Sequence, residues 1–358
     1  MVFALAALLA AILTPLVRRV VLRYRIVDRP NARRVNTRPI PRAGGLAIAA
    51  AFLTVAVGFV LLNGSAGWVP TPLNLEPGDF LALFLGGAAA AVLGAIDDLF
   101  DLRARWQLAG QLGLAAVAVA LGIGISYVNN PFGADLISFS EPFSVGFTVF
   151  WIVGMMNSIN WIDGLDGLST GIALIASVTL GVISLTTQVG QPLIAVLCFA
   201  LAGALAGFLR RNFHPARIFS GTSGVQFVGY TLAVLSILGS AKVAVALLVL
   251  GVPIIDTFWI IVGRLSRGDS PFAPDRSHIH HRLLDLGLSH RDTVLVIYGI
   301  CAALGIVAML VSEVTQLYAF LGVFIVSGLI LFGPTRGAFE RPEELEAASY
   351  ETADTTGR

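Results

Sequence analysis

The sequence predicts an all-α polytopic membrane protein with about eleven spanning helices. Its 358 residues are 56% hydrophobic and 13% charged, whereas a soluble domain carries about 25% charged residues. Apolar runs near the ~20 residues that a spanning helix needs recur along the whole chain. A single transmembrane domain, residues 1–333, is therefore predicted, followed by an acidic tail, 334–358, that is predicted to be disordered.

The apolar runs divide into eleven predicted spans. They are residues 2–20, 44–62, 80–97, 106–125, 143–160, 168–187, 192–209, 224–239, 241–262, 292–311 and 317–333. The eighth is short and the Gly239–Ser240 break after it is tight, so ten spans remain an alternative. Turn residues around a short apolar run predict a hairpin within 129–142.

The charges predict which side of the membrane each loop occupies. With these spans every arginine falls on one face, and Lys242, the sole lysine, falls on the other. Loops rich in arginine stay in the cytoplasm, so the N-terminus is predicted outside and the C-terminus inside. The predicted location is the plasma (inner) membrane, in contact with membrane lipids, with the polar clusters described next on the cytoplasmic face.

One group of carboxylates closes the apolar run AAAAVLGAI. Asp97, Asp98 and Asp101 follow it, and in a continuing helix residues 97 and 101 would be i,i+4 neighbours. Such like charges repel unless a cation or a shared proton intervenes. Hard oxygen ligands suit Mg²⁺, which leaves coordination positions for substrate phosphates. A solvated helix end is the alternative, but a triplet after a charge-free run favours function.

A second group lies in NSINWIDGLDGL, residues 157–168. Asn157 and Asn160 are one helical turn apart, and Asp163 and Asp166 follow them. The glycine after each aspartate predicts a loop or a helix start where the backbone approaches a ligand closely. A helix N-cap is the alternative for Asp166, but capping does not account for the other three polar side chains.

Three histidines, His278, His280 and His281, lie in the longest basic internal loop. Zinc is disfavoured there because no cysteine is near and the surrounding arginines repel a cation. Arginines such as Arg282 fit an anionic phosphate better, although a solvated basic loop is the alternative for them. Asp256, inside the ninth span, should face the protein interior or a polar cavity.

Two small-residue features predict packing. Cys198 and Cys301 lie in apolar runs and indicate core positions rather than a disulfide or a zinc site. Gly203 and Gly207 predict a face where two helices meet closely.

These residues make the chain resemble the polyprenyl-phosphate N-acetylhexosamine-1-phosphate transferases, from residue 28 to about residue 335. The matching segments are DRPNARR…RPIPRAGGLAI (28–48), AIDDLFDL (95–102), NSINWIDGLDGL (157–168), NFHPARIF (212–219) and RGDSPFAPDRSHIHHRLLDLGLSHR (267–291). The His-x-His-His pattern resembles the N-acetylglucosamine-1-phosphate branch more than the muramoyl-pentapeptide branch.

The resemblance implies a reaction of UDP-N-acetylglucosamine with undecaprenyl phosphate that gives UMP and undecaprenyl-diphospho-N-acetylglucosamine. It also implies Mg²⁺, with Mn²⁺ as an alternative ion. Asp97 would orient the lipid phosphate, Asp98 would help to hold metal or phosphate, and Asp163 and Asp166 would organise the nucleotide. Thr222 stands where the family has an aspartate that binds the metal.

The remaining family positions are implied to contact substrate. They are Asn157, Asn160, His278, His280, His281, Arg282 and Arg217. Two other functions stay open: a catalytically impaired homologue that binds nucleotide sugar or lipid, for which Thr222 is the evidence, and a transporter, which Asp256 permits. A transporter should place its site near the membrane midplane, which the clustering on one face does not favour. No nucleic-acid partner is expected, and a homodimer is left open.

Overall fold

The computed structural model is an assembly of helices. It describes residues 1–28, 39–72, 75–130, 135–186, 189–239, 242–266, 268, 278–311 and 313–332. Within these residues the predicted all-α class is confirmed, and the strands are confined to two short pairs. The predicted tail, 334–358, lies outside the described residues.

Fourteen α-helices occur in the described part of the chain. They are α1 (Val2–Arg23), α2 (Gly45–Ala66), α3 (Pro77–Leu81), α4 (Gly87–Phe100), α5 (Ala104–Ala120), α6 (Glu141–Ile162), α7 (Leu168–Leu185), α8 (Pro192–Asn212), α9 (Gly221–Leu238), α10 (Lys242–Val249), α11 (Gly251–Ser266), α12 (Ile279–Asp285), α13 (His290–Leu310) and α14 (Glu313–Phe332). A π-helical turn, Ala82–Gly86, joins α3 to α4.

The strands form two antiparallel pairs. β1 (Val27–Asp28) pairs with β2 (Ile40–Pro41), and β3 (Tyr127–Asn129) pairs with β4 (Leu136–Ser138). The second pair confirms the hairpin predicted between the fourth and fifth spans.

Eight helices of the described chain are long and apolar enough to cross a membrane: α1, α2, α3 continued by α4, α6, α7, α8, α9 and α13. The predicted span 106–125 corresponds to α5, which has 17 residues, and 317–333 corresponds to α14. The predicted span 241–262 is not one helix, because α10 ends at Val249 and α11 begins at Gly251. Pro253 lacks an N–H and fits the first turn of a new helix. The multi-pass architecture is therefore confirmed, while the count of eleven and the orientation stay predictions.

Close backbone contacts place the last two turns of α4 against the first turn of α9. A Cβ on Gly94 of α4 would lie 2.3 Å from Thr222 O, and one on Gly45 of α2 would lie 2.0 Å from Gly224 Cα. Only glycine permits such approaches. Because residue 98 is one helical turn beyond Gly94, its side chain projects toward the start of α9.

The predicted small-residue face is confirmed. A Cβ on Gly203 would lie 2.2 Å from Phe3 O, and one on Gly207 would lie 2.2 Å from Ala7 O, so these glycines let α8 pack on α1. Cys198 and Cys301 are buried in the core, as predicted.

Candidate active site

Asp98 binds the N-terminus of α9 through both carboxylate oxygens. Its Oδ1 accepts a hydrogen bond from Thr222 N (2.9 Å), and its Oδ2 accepts one from Ser223 N (3.0 Å). Amides in a first helical turn have no partner within the helix, and the helix dipole favours a negative charge beside them. Asp98, whose side chain is 1% exposed, therefore fastens α4 to α9.

Asp97 faces the side chain of Thr222. Its Oδ2 accepts a hydrogen bond from Thr222 Oγ1 (2.6 Å), and its Oδ1 accepts from Leu102 N (2.9 Å) and Gln107 Nε2 (2.6 Å). A threonine hydroxyl can donate this hydrogen bond, whereas an ionised aspartate at the same position would repel Asp97. Two carboxylates, hereafter the acidic pair (Asp97 and Asp98), and one hydroxyl thus converge where α4 meets α9.

Asp101 turns away from the acidic pair. α4 ends at Phe100, and Asp101 adopts a left-handed conformation with φ 48°. Its Oδ1 accepts a hydrogen bond from Arg42 Nη2 (2.6 Å), and the same guanidinium donates to Asp98 O. Asp101 N still donates to Asp97 O (2.9 Å), but Asp101 is the C-cap residue of α4 and its carboxylate binds Arg42.

Asp163 follows the last residue of α6 and lies half-buried close to the start of α9. Its Oδ1 accepts a hydrogen bond from Ser169 Oγ (2.5 Å), and its Oδ2 accepts one from Ser220 Oγ (2.8 Å). Burial raises the pKa of the Asp163 carboxyl above its ordinary value; the two serine hydroxyls oppose this shift, and the charge of Asp166 adds to it. Because Ser220 directly precedes α9, the start of this helix connects Asp163 with the acidic pair.

Asp166 lies in the same loop but does not cap α7, whose N-cap is Gly167 (φ 79°). Its Oδ2 lies 2.9 Å from His214 Nδ1 and accepts a hydrogen bond from Ala216 N (2.9 Å). Its backbone N donates to His290 Nε2 (2.9 Å). The capping alternative is therefore wrong, and segments distant in sequence hold this residue.

His280 packs directly on the loop that carries these aspartates. It is 1% exposed, and a Cβ on Gly164 would lie 2.2 Å from His280 Nε2. Burial, followed by the neighbouring His281, His278 and His290, lowers the pKa of His280 to about 2. The ring is therefore neutral at physiological pH and cannot supply positive charge to a phosphate.

His278 is bound to Asp256 of α11. His278 Nδ1 lies 2.7 Å from Asp256 Oδ2, and Ile279 N donates to Asp256 Oδ1 (2.9 Å). The prediction that Asp256 faces the protein interior is confirmed, and its partner belongs to the histidine segment. His281 is also buried. Most of the preceding basic loop, 269–277, lies outside the described residues.

Asn157 belongs to an amide network between helices. Its Nδ2 donates to Gln111 Oε1 (2.8 Å), and Gln111 Nε2 donates to Gln226 Oε1 (3.1 Å). Asn157 therefore links α6 to α5 and, through Gln111, to α9. Asn160 is half-buried one turn nearer to the aspartate loop.

One group of three Asp, Glu, His or Cys ligand atoms, all within 4.8 Å of one another, occurs in the described part of the chain: Asp166, His214 and His290. The acidic pair forms no such group there because Thr222 supplies a hydroxyl and not a third carboxylate. Oxygen donors of that kind suit Mg²⁺ or Mn²⁺, whereas imidazole nitrogens suit later transition metals.

The chain is similar to known proteins over most of its length. Residues 80–240, which include the ends of α4 and α6 and the start of α9, match the model of Glycosyl transferase family 4. Over 341 residues the chain is 38% identical to the probable undecaprenyl-phosphate N-acetylglucosaminyl 1-phosphate transferase of Bacillus subtilis (strain 168), with 92% of this chain and 88% of the relative covered.

Two further relatives are more distant. The decaprenyl-phosphate N-acetylglucosaminephosphotransferase of Mycolicibacterium smegmatis is 34% identical over 359 residues, covering 92% of this chain and 87% of the relative. The undecaprenyl-phosphate alpha-N-acetylglucosaminyl 1-phosphate transferase of Escherichia coli (strain K12) is 27% identical over 329 residues, covering 87% and 85%. The chain belongs to this transferase family.

Family membership confirms the resemblance drawn from the motifs, and the chain is a glycosyl-1-phosphate transferase. The fold of this transferase brings Asp97, Asp98, Asp163 and Thr222 together around the start of α9. Arg217 is exposed on the loop after α8, and Arg282 is half-buried in α12. The roles of all these residues stay predictions.

Sequence reasoning missed the partners that hold the aspartates. These are Ser169, Ser220, Gln107, His214 and His290. His214 and His290 both lie inside segments that carry the family resemblance, which was the available signal. The serines and Gln107 gave none, since single polar residues at the ends of apolar helices are common.

Proposed function

We propose that this transferase moves N-acetylglucosamine-1-phosphate from UDP-N-acetylglucosamine to undecaprenyl phosphate. A lipid phosphate oxygen attacks the β-phosphorus and forms a new P–O bond, while the bond from that phosphorus to the α-phosphate oxygen breaks. UMP leaves with the electron pair, and undecaprenyl-diphospho-N-acetylglucosamine remains in the membrane. The reaction would be the first membrane step of cell-envelope polysaccharide synthesis, such as lipopolysaccharide or teichoic acid. The relatives' names, which specify undecaprenyl or decaprenyl phosphate and N-acetylglucosamine, support this choice.

The observation that carries the proposal is the meeting of two carboxylate motifs at the start of α9. Asp98 and Asp97 reach it from α4, and Asp163 reaches it from α6 through Ser220. Phosphoryl transfer depends mainly on positioning the reactants and on offsetting the charge of the phosphoryl oxygens. Carboxylates converging from separate helices are suited to that task when they hold a divalent cation.

The donor set of the acidic pair fits Mg²⁺. Two carboxylates and the Thr222 hydroxyl are hard oxygen donors, and each carboxylate oxygen has lone-pair capacity beyond the hydrogen bonds it accepts. We propose Asp98 and Asp97 as ligands and Thr222 as a weaker, neutral one, with Mn²⁺ as an alternative ion. When bound, the ion stabilises negative charge on the transferring phosphoryl group.

The other residues each bind or position a different part of the two substrates. Asp97 orients the attacking lipid phosphate, and Asp163 and Asp166 position the nucleotide. Arg217 and Arg282 supply positive charge for the diphosphate. The neutral His280 contributes by shaping the aspartate loop through its contact with Gly164.

Purified protein in lipid nanodiscs, given undecaprenyl phosphate, Mg²⁺ and a panel of UDP-sugars, tests the function. We expect UMP release and a lipid-diphosphate product, fastest with UDP-N-acetylglucosamine. Asp97→Asn should slow both about 10²- to 10³-fold, and Asp135→Asn, which changes an exposed carboxylate beside the β3–β4 hairpin, should leave both unchanged. UMP release with none of the sugars would contradict the proposal.

We propose that the site faces the cytoplasm, because in the predicted topology every arginine falls on the face that carries its motifs. Impermeant maleimide applied to intact cells tests this orientation. Asp135→Cys, in the hairpin, should react from outside, whereas Arg217→Cys should react only after permeabilisation. The opposite pattern would reverse the orientation.

A further inference from the structure

The first residue of α13 contacts the loop that carries Asp163 and Asp166. His290 Nε2 accepts a hydrogen bond from Asp166 N (2.9 Å) across a sequence separation of 124 residues. Accepting this bond requires Nε2 to carry no proton, so the ring is the neutral tautomer protonated on Nδ1. His290 therefore fixes the backbone of Asp166 and leaves its carboxylate to other partners.

His214 completes the arrangement from the loop after α8. Its ring stacks on His290 with centroids 4.3 Å apart and planes at 24°, and its Nδ1 lies 2.9 Å from Asp166 Oδ2. Ala216 N donates to the same oxygen. Within the described residues both of these contacts are to Oδ2. Asp166 Oδ1 can therefore accept a hydrogen bond from substrate.

A second residue of α13 holds the next residue of the loop. Tyr298 Oη donates to Gly167 O (2.5 Å), and a Cβ on Gly171 would lie 2.0 Å from Tyr298 Oη. Residues i and i+8 lie on one side of a helix, so His290 and Tyr298 share a face of α13. This face holds two successive residues of the aspartate loop.

We propose that His290 is a positioning residue for the transferase: it holds the peptide of Asp166 so that the Asp166 carboxylate meets the nucleotide part of the donor. That the loop meets a nucleotide rests on the proposed function, whereas the contact between His290 and the loop does not. His290 thus connects the start of α13 to the proposed donor site.

A transition metal bound by Asp166, His214 and His290 is the competing explanation of the same cluster. The lone pair of His290 Nε2 and the N–H of Asp166 already bind each other. A metal at Nε2 would break this bond and leave a backbone amide without its acceptor, which is costly when buried.

Two substitutions of His290 form the decisive pair. Glutamine offers Oε1 as an acceptor near the position of Nε2, whereas alanine offers none. We expect His290→Ala to raise KM for UDP-N-acetylglucosamine about 3- to 10-fold, the effect of losing one hydrogen bond. The KM for undecaprenyl phosphate should stay unchanged, and His290→Gln should recover most of the loss. Equal KM values in all three proteins, or an equal rise for both substrates, would overturn the positioning role.

Hydrogen exchange of the full-length protein without substrate tests the contact independently of activity. Peptides covering residues 160–168 should exchange faster in His290→Ala than in the parent or in His290→Gln, and peptides covering the start of α9 should be unchanged. Identical exchange in all three would overturn the proposal, and stoichiometric zinc or manganese lost from both variants would replace it with a metal site. If the exchange differs as expected but no UDP-sugar is consumed by the parent, the proposed function fails and the contact stands.

Discussion

Asp98 is buried and Asp163 is half-buried beside the start of α9, and different groups hold them. Two backbone amides of α9 bind Asp98, whereas the hydroxyls of Ser169 and Ser220 bind Asp163. A backbone amide can only donate, but a hydroxyl can rotate to donate or to accept. The α9 amides therefore need a group that accepts two hydrogen bonds at residue 98. The two serine hydroxyls can also bind a neutral polar side chain at residue 163.

The largest expected effect comes from neutralising the acidic pair. Asp97→Asn and Asp98→Asn should each lower kcat by about 10²- to 10³-fold, the usual cost of removing one electrostatic group at a transition state. Only Asp98→Asn should also lower thermal stability, because the asparagine NH₂ would face a backbone N–H and leave it unpaired, at a cost of about 1–3 kcal/mol. Turnover and melting temperature in the same detergent give both quantities.

The matched control for this experiment is Asp135→Asn, which changes an exposed carboxylate beside the β3–β4 hairpin. Near-parental turnover of either acidic-pair variant would show that these carboxylates form a helix end only. Equal melting temperatures of Asp97→Asn and Asp98→Asn would show that the backbone amides of α9 do not require a carboxylate at residue 98.

Thr222→Asp sharpens the comparison by adding a third carboxylate where Thr222 Oγ1 donates to Asp97. In EDTA the added charge should repel Asp97 and lower the melting temperature. With Mg²⁺ the extra ligand should lower the ion concentration for half-maximal rate, by about tenfold if the charge is worth ~1.4 kcal/mol. A Mg²⁺ titration of the parent, Thr222→Asp and the neutral Thr222→Asn measures this. An unchanged or higher requirement in Thr222→Asp would mean that another carboxylate already supplies the charge.

A smaller effect is expected from the histidine segment. Because His280 is buried, neutral and in contact with Gly164, His280→Gln should raise KM for the UDP-sugar several-fold by displacing the aspartate loop, the range of one or two lost contacts. His281→Gln should act in the same direction. Zinc chelation should leave activity unchanged, and one equivalent of zinc in purified protein would refute this assignment.

The sequence was sufficient for the parts of the site that depend on local pattern. Eight of the eleven predicted spans correspond to helices long and apolar enough to cross a membrane. The positions of Asp97, Asp98 and Asp163 at the ends of apolar runs indicated residues that the fold brings to the start of α9. Sequence could not predict that α4 would end at Phe100, because the end depends on the left-handed conformation of the single residue Asp101. It therefore could not predict that the Asp101 carboxylate would bind Arg42.

The sequence also could not predict hydrogen bonds between segments that are far apart along the chain. His290 and Asp166 are 124 residues apart, and Asp98 and Thr222 are equally far apart. The register of α4 on α9 depends on Gly94 contacting the backbone at Thr222, and that of α2 depends on Gly45 contacting Gly224. Glycines in apolar helices are too common for a single sequence to show which of them set such contacts.

The smallest expected effect concerns stability at the second carboxylate. Burial raises the pKa of Asp163 in the folded protein above its unfolded value, so folding favours the protonated form. The resulting loss of stability is absent below the unfolded pKa, near 3.9, grows as the pH rises toward the folded pKa, and is complete above it.

Asp163→Asn stays neutral and can both accept from one serine and donate to the other. It should therefore melt at a temperature equal to or a few degrees above that of the parent at pH 7, a change of about 1 kcal/mol, while losing activity. The difference should vanish as the pH is lowered toward 4. Asp98→Asn, which orphans a backbone amide, should melt lower than the parent at pH 7; a lower melting temperature for Asp163→Asn as well would show that the serine pocket requires the carboxylate as strictly as α9 does.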